Sequence, residues 1–316
     1  MNVSIENDQL RVTVTDEGGH IAEILDKRTG INPLWAPPWS DYQGKGAEDK
    51  LLAGIKGHNL CLDVFGGPSA EEEAAGLGVH GEGSVVRYKI AKRDHGLDMR
   101  AHLPMAHIDF ERQITLNGKV VTIDEAVTSL CAFDRPIAWT QHVTLGPPFL
   151  EKGVTTFEVS ATRSKVYEAP FGTNDYLVAG AEFDWPNAPR IGGGTADLQM
   201  MNGAPASSAF TTHLMNPEKR DAWFNARHPG MKLVFGYLWK PEDFPWLGIW
   251  EENHSRTHAP WSGKTLARGM EFGVSPMPET RRQMVDRGRL FGVPAYRWLP
   301  ASGCLRVRYC ARLASE

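Results

Sequence analysis

No stretch of this 316-residue chain sustains an apolar 3.6-residue rhythm for even four turns, so a long helical bundle is excluded from the outset. What recurs instead is alternation. In Leu10-Arg11-Val12-Thr13-Val14-Thr15 apolar and polar side chains take turns, as a half-buried strand requires because successive side chains face opposite ways. The closing run does the same: Leu305, Val307, Tyr309, Ala311 and Leu313 share one face, while Arg306, Arg308 and Arg312 share the other. Glycine (32) and proline (21) fill about one position in six and punctuate these runs as turn residues.

Asp16-Glu17-Gly18-Gly19 and Asp26-Lys27-Arg28-Thr29-Gly30 supply turns on either side of a strand over 20–25, which makes the N-terminal part a meander. Further strands are predicted over 60–65, 84–91, 108–116, 119–128, 137–145, 154–160, 232–239, 246–251 and 267–273, with Asn117-Gly118 as a two-residue hairpin turn. Only 71–75 and 279–286 have helical character. Residues 186–208, rich in Gly, Pro, Ala and Ser, read as one long loop, with Gly192-Gly193-Gly194 as a flexible turn within it. Many strands, tight turns and few helices indicate an all-β fold, a large antiparallel sandwich, and the uniform composition assigns residues 1–316 to one domain.

Lysine and arginine (34) nearly balance aspartate and glutamate (38), for a net charge of −4. Nucleic acids and anionic membranes select basic surfaces, so neither is expected as a partner. The N-terminus is polar and no apolar run approaches ~18 residues, which argues against secretion and spanning and for a cytoplasmic setting. Cys61, Cys131, Cys304 and Cys310 are scattered without a CxxC pair, so four buried thiols in a reducing compartment are expected. The chain has no phosphate loop, no GxSxG elbow, no HExxH and no Rossmann fingerprint, and no cofactor is expected.

Four polar segments could carry chemistry. His80 sits among glycines in Gly76-Leu77-Gly78-Val79-His80-Gly81-Glu82-Gly83, where backbone can approach a ligand closely; the plain alternative is a turn histidine bonded to its own loop. His142 lies in a strand pattern beside Gln141, before Gly146-Pro147-Pro148, and such a histidine can equally be a satisfied core residue. Glu271 interrupts the strand Arg268-Gly269-Met270-Glu271-Phe272-Gly273, with Met270 and Phe272 facing the other way. Burying a carboxylate costs several kcal/mol without partners, so Glu271 is either on an exposed face or in a polar pocket as a general base. In Trp246-Leu247-Gly248-Ile249-Trp250-Glu251-Glu252, Trp250 with its acidic neighbours has the make-up of a sugar platform, whereas Trp246 reads as core. His254 and His258 lie in a loop pattern that does not suit a metal site, and Glu71-Glu72-Glu73 reads as a solvated charge run.

The order of these features resembles the aldose 1-epimerase (galactose mutarotase-like) family. Leu10–Val14, Gly18-Gly19, 21–25 and Thr29-Gly30 are similar to its opening strand–turn–strand, His80-Gly81 to its His-Gly motif, His142 with Gln141 to its second histidine strand, and Met270-Glu271-Phe272 with Pro276 to its late glutamate strand. Leu145-Gly146-Pro147-Pro148-Phe149 stands where the family has a Tyr-Phe-Asn-Leu tail. The resemblance implies a galactose mutarotase-like supersandwich and an isomerase of carbohydrate metabolism that interconverts the α and β anomers of a small free sugar. Acid–base ring opening of that kind needs neither metal nor nucleotide. It further implies Glu271 as base and His142 as acid, with His80 on the ring-oxygen side or sharing the acid role. Trp250, Gln141, Glu251, Arg87 and Glu82 follow as substrate contacts. Two other functions fit the same outline: a non-catalytic carbohydrate-binding protein, and a glycoside hydrolase or lyase relative in which Glu251 or Glu82 pairs with Glu271.

Overall fold

The computed structural model describes residues 2–44 and 46–315. Two large antiparallel sheets face each other. One runs, in spatial order, Asn2–Glu6, Leu10–Thr15, Ile21–Asp26, His58–Asp63, Arg135–Leu145, Leu266–Gly273, Trp246–Asn253, Ser207–Met215, Ala161–Val166 and Glu182–Asp184, with Arg297–Leu299 pairing the start of the Arg135–Leu145 strand. The other runs Thr156–Val159, Ala222–His228, Leu233–Trp239, Cys304–Ser315, Val120–Ser129, Ile108–Asn117, Gly96–Leu103 and Lys89–Arg93. Their inner faces build one apolar layer in which Val143, Met270, Phe272 and Leu247 meet Phe235, Tyr237, Trp239 and Val127. Trp239 stacks on Phe272 with ring centroids 4.3 Å apart.

The all-β antiparallel sandwich is as expected, and so are the two short helices, at Ala70–Ala74 and Arg281–Arg287. The closing strand has the face assignment its alternation predicts: Val307, Tyr309, Ala311 and Leu313 are buried, while Arg306, Arg308 and Arg312 are exposed. Three expectations are corrected. Residues 84–88 form no continuous strand: the Val85 and Val86 N–H groups turn back onto the Glu82 carbonyl, and Arg87 makes only an isolated bridge with Glu17. The 186–208 segment contains a hairpin of Asn187–Pro189 with Thr195–Asp197, and Gly192, Gly193 and Gly194, all at positive φ, form its turn. Cys304 is exposed and Cys310 half-buried, so only Cys61 and Cys131 match the buried-thiol expectation.

The central strands of the larger sheet are buried on both faces. Their outer face is covered by a second apolar cluster that includes Trp35, Leu51, Leu52, Ile55, Phe210, Trp250 and Trp261. Much of this cover comes from residues 33–57, including the helix Ala47–Gly54, whose first turn is held by the Asp49 carboxylate accepting from the Gly46 N–H at 2.7 Å. The sequence pattern missed this helix because eight residues carry only Leu51 and Leu52 as buried anchors, too few to show a helical period. No helix among the described residues is long and apolar enough to cross a membrane.

Candidate active site

Strand register, rather than chain proximity, assembles the site. Across the larger sheet Asn59 pairs with His142, His142 with Glu271, Glu271 with Gly248, and Gly248 with Thr212, so one row of side chains on the outer face holds both titratable groups side by side. His142 Nε2 lies 3.1 Å from Glu271 Oε1. The neighbouring row brings Gly269 opposite Trp250, and Trp250 opposite Phe210. The two strand glycines make the room. A Cβ on Gly269 would stand 2.3 Å from Glu271 Oε1, and one on Gly248 would stand 2.7 Å from the Phe210 ring.

His80 reaches the pair from the Gly-rich turn. Its own φ is +69°, and Gly81 follows at +75° with its Cα so close to Leu62 that a Cβ would be 2.3 Å from the Leu62 carbonyl oxygen. The ring centroids of His80 and His142 are 5.0 Å apart, and those of His142 and Trp250 5.9 Å. His80 Nδ1 lies 2.6 Å from the Phe65 carbonyl oxygen, which can only accept, so Nδ1 carries the proton and Nε2 is left as an acceptor. On the far side of His142, Nδ1 is 3.1 Å from the Thr144 hydroxyl.

These groups line a cleft of about 260 Å³, together with Leu51, Leu52, Ile55, Val79, Phe171, Phe210, Trp261, Glu48 and Arg256. Enclosure by these walls disfavours charge on Glu271, His142 and His80. Burial pushes the Glu271 carboxyl up to about 8, against a smaller opposing pull from Arg256. Burial, with His80 adding to it, holds His142 well below the ordinary imidazole range, and burial lowers His80 to about 4. A carboxylic acid beside a neutral imidazole is the result. A pair so arranged can exchange a proton in either direction at no change in net charge.

Of the residues singled out in the sequence, Glu271, His142, His80 and Trp250 converge in this cleft. The other four stand elsewhere, each for a local reason. Gln141 is adjacent to His142 and therefore faces the other way, between the sheets, where its amide donates to Glu125 at 2.7 Å and its carbonyl oxygen accepts from His58 at 2.9 Å. Glu251 is turned inward by the same alternation and accepts from the Ser207 and Tyr176 hydroxyls. Arg87 is exposed and pairs with Glu17. Glu82 is buried outside the cleft, accepting from the Ala106 N–H at 2.9 Å. Arg256, Trp261 and Phe210 were not foreseen: the first two sit in a loop with no period to read, and the third looks like any core aromatic.

A larger groove of about 930 Å³, lined by Pro217, Pro241, Pro245, Tyr296 and Trp298, lies apart from these groups. Its arginines are already engaged, Arg287 with Glu168 and Glu279, and Arg297 with the Glu242 and Asp243 carbonyls. The smaller cleft is the one equipped for chemistry. Among the described residues no three His, Cys, Asp or Glu side chains are grouped to hold a metal ion.

No protein-family model matches the sequence, and no curated protein does. Solved structures do resemble it over its full length. A candidate aldose 1-epimerase from Escherichia coli K12 superposes with a TM-score of 0.71 at 12% identity, covering 100% of this chain and 99% of that one. A galactose mutarotase related enzyme from Lactobacillus acidophilus gives 0.67 at 14% identity, covering 100% and 98%. A galactose mutarotase-like protein from Clostridium acetobutylicum gives 0.65 at 12% identity, covering 100% and 95%. Identities this low carry the fold and nothing finer, and on that ground this chain has the galactose mutarotase-like fold.

Proposed function

We propose that the chain is an aldose 1-epimerase-like enzyme that interconverts the anomers of a small free sugar by opening and reclosing its ring. The observation that carries this reading is the Glu271–His142 pair, 3.1 Å apart in an enclosed cleft and walled by Trp250. Mutarotation needs one group to take the proton of the anomeric hydroxyl while another protonates the ring oxygen, and then the reverse. Passage of the Glu271 proton to His142 across their 3.1 Å contact gives the carboxylate and the imidazolium, and from that form opening moves one proton onto Glu271 and one off His142, leaving the acid and the neutral ring. Reclosure on the other face of the carbonyl restores the starting pair. Both states hold the same number of protons, so no exchange with solvent is needed during turnover. His80, bare at Nε2, acts as a hydrogen-bond acceptor for a sugar hydroxyl in this scheme rather than as a second acid. Trp250 offers its face to the apolar side of the pyranose.

The test is anomer exchange followed by polarimetry or NMR on freshly dissolved sugars. Glu271→Gln and His142→Asn should each lower kcat by ~10²–10⁴-fold, the usual contribution of a positioned acid or base, with a smaller change in KM. Retention of full turnover in either variant overturns the assignment.

A further inference from the structure

We propose that the cleft selects a sugar acid, an aldose such as a hexuronate that carries one carboxylate, over its neutral parent. The inference rests on the reading of the cleft as an anomer-exchanging site and concerns which sugar enters it. Among the described residues lining the cleft, Arg256 is the only lysine or arginine. Its guanidinium carbon lies 4.6 Å from the Trp261 ring centroid and 5.3 Å from that of Trp250, so two indoles fix its plane. Its Nε side faces Glu252 at 3.4 Å, and its backbone N–H donates to the same carboxylate at 2.9 Å. Neither terminal amino group donates a hydrogen bond to any described residue. Burial lowers its pKa against the opposing pull of Glu252, Glu48 and Glu271.

A planar guanidinium with two unengaged N–H groups on one edge matches a carboxylate in bidentate fashion. Trp250 neighbours both Arg256 and His142, so the cation and the acid–base pair border one indole within one cleft, where a single sugar can meet both. The remaining walls favour the same class. Leu51, Leu52, Ile55 and Val79 offer no partner for the one hydroxymethyl group by which a neutral hexose differs from its uronate, whereas a carboxylate in its place can pair with Arg256. A phosphate dianion is less suited, since one cation would face it with Glu252 and Glu48 nearby.

The experiment compares anomer exchange of D-glucuronate and D-galacturonate with D-glucose, D-galactose and glucose 6-phosphate, with calorimetric binding in parallel. The uronates should show kcat/KM roughly tenfold or more above their neutral parents, mostly through KM, the order expected of a charge-assisted hydrogen bond. That preference should shrink with added salt in the unaltered protein, a readout that needs no variant to fold. Arg256→Gln should bring the ratio toward one, and Arg256→Lys should keep part of it. Neutral hexoses exchanged as well as or better than uronates would overturn this inference while upholding the epimerase reading. Faster exchange of glucose 6-phosphate would overturn the choice of a carboxylate. Uronate binding that depends on Arg256 but proceeds without any exchange would uphold the ligand class and sink the epimerase reading. Binding of none of these sugars would overturn both.

Discussion

Glu271 and His142 are each driven toward neutrality by the same walls, and the consequences separate by pH. A carboxyl at about 8 in the folded protein, against an ordinary 4.5, binds its proton more tightly folded than unfolded. The stability it contributes is therefore complete below about 4.5 and is lost as pH rises toward 8. Glu271→Gln, which cannot ionise, should melt close to the parent near pH 5 and progressively above it toward pH 8.5. Differential scanning calorimetry checks this. A gap that closes with rising pH would contradict the raised carboxyl. Activity has its own limb. Above about 8 the pair loses the proton that reclosure returns to the sugar, so kcat should fall there with an apparent pKa that belongs to the pair rather than to either residue. A rate that instead climbs through pH 8 would mean that Glu271 acts as a lone base.

At the scale of elements, the site depends on strands that carry glycine two residues from a working side chain. Gly269 faces outward with Glu271 and leaves the space its carboxylate occupies. Gly269→Ala should preserve the fold, because strand φ/ψ suits alanine, yet displace the carboxylate and reduce kcat by ~10²-fold, the cost of about 1 Å of misplacement. Circular dichroism with anomer exchange measures both, and full activity would show that the carboxylate tolerates the shift. Such glycines also explain what was legible beforehand. Alternation in 267–273 put Glu271 opposite Met270 and Phe272, and the row of partners then follows from antiparallel pairing. The same period-two rule, applied to Gln141 and Glu251, excludes both from the face that His142 and Trp250 occupy. What alternation does not encode is which strands become neighbours, so Gly248 and Phe210 could not be placed. Loops have no period at all, which left Arg256 and Trp261 unseen although they form one wall.

For the molecule as a whole, the candidate cleft is backed by a polar seam buried between the two sheets. Arg112 and Glu125, both fully buried, meet at 2.7 Å, and Arg112 also donates to the carbonyl of Gly19, in the turn between two strands of the other sheet. Glu125 further accepts from Trp139, Gln141 and Tyr309, while the Gln141 carbonyl oxygen accepts from His58, whose other ring nitrogen lies 3.0 Å from the Tyr237 hydroxyl. Burial holds His58 down to about 3, so the seam contains one cation and one anion and is otherwise neutral. Removing one charge leaves the other stranded. Arg112→Met should therefore lower the free energy of unfolding in urea by ~3–5 kcal/mol. Arg112→Met/Glu125→Leu should recover only part of that, because the donors of Trp139, Gln141 and Tyr309 then lose their acceptor. The folded fraction of either variant should keep its anomer exchange, since His142 and Glu271 project from the opposite face of the sheet. Exchange lost in a variant that stays folded would instead make the seam a device that positions His142 through Gln141, its neighbour along the strand.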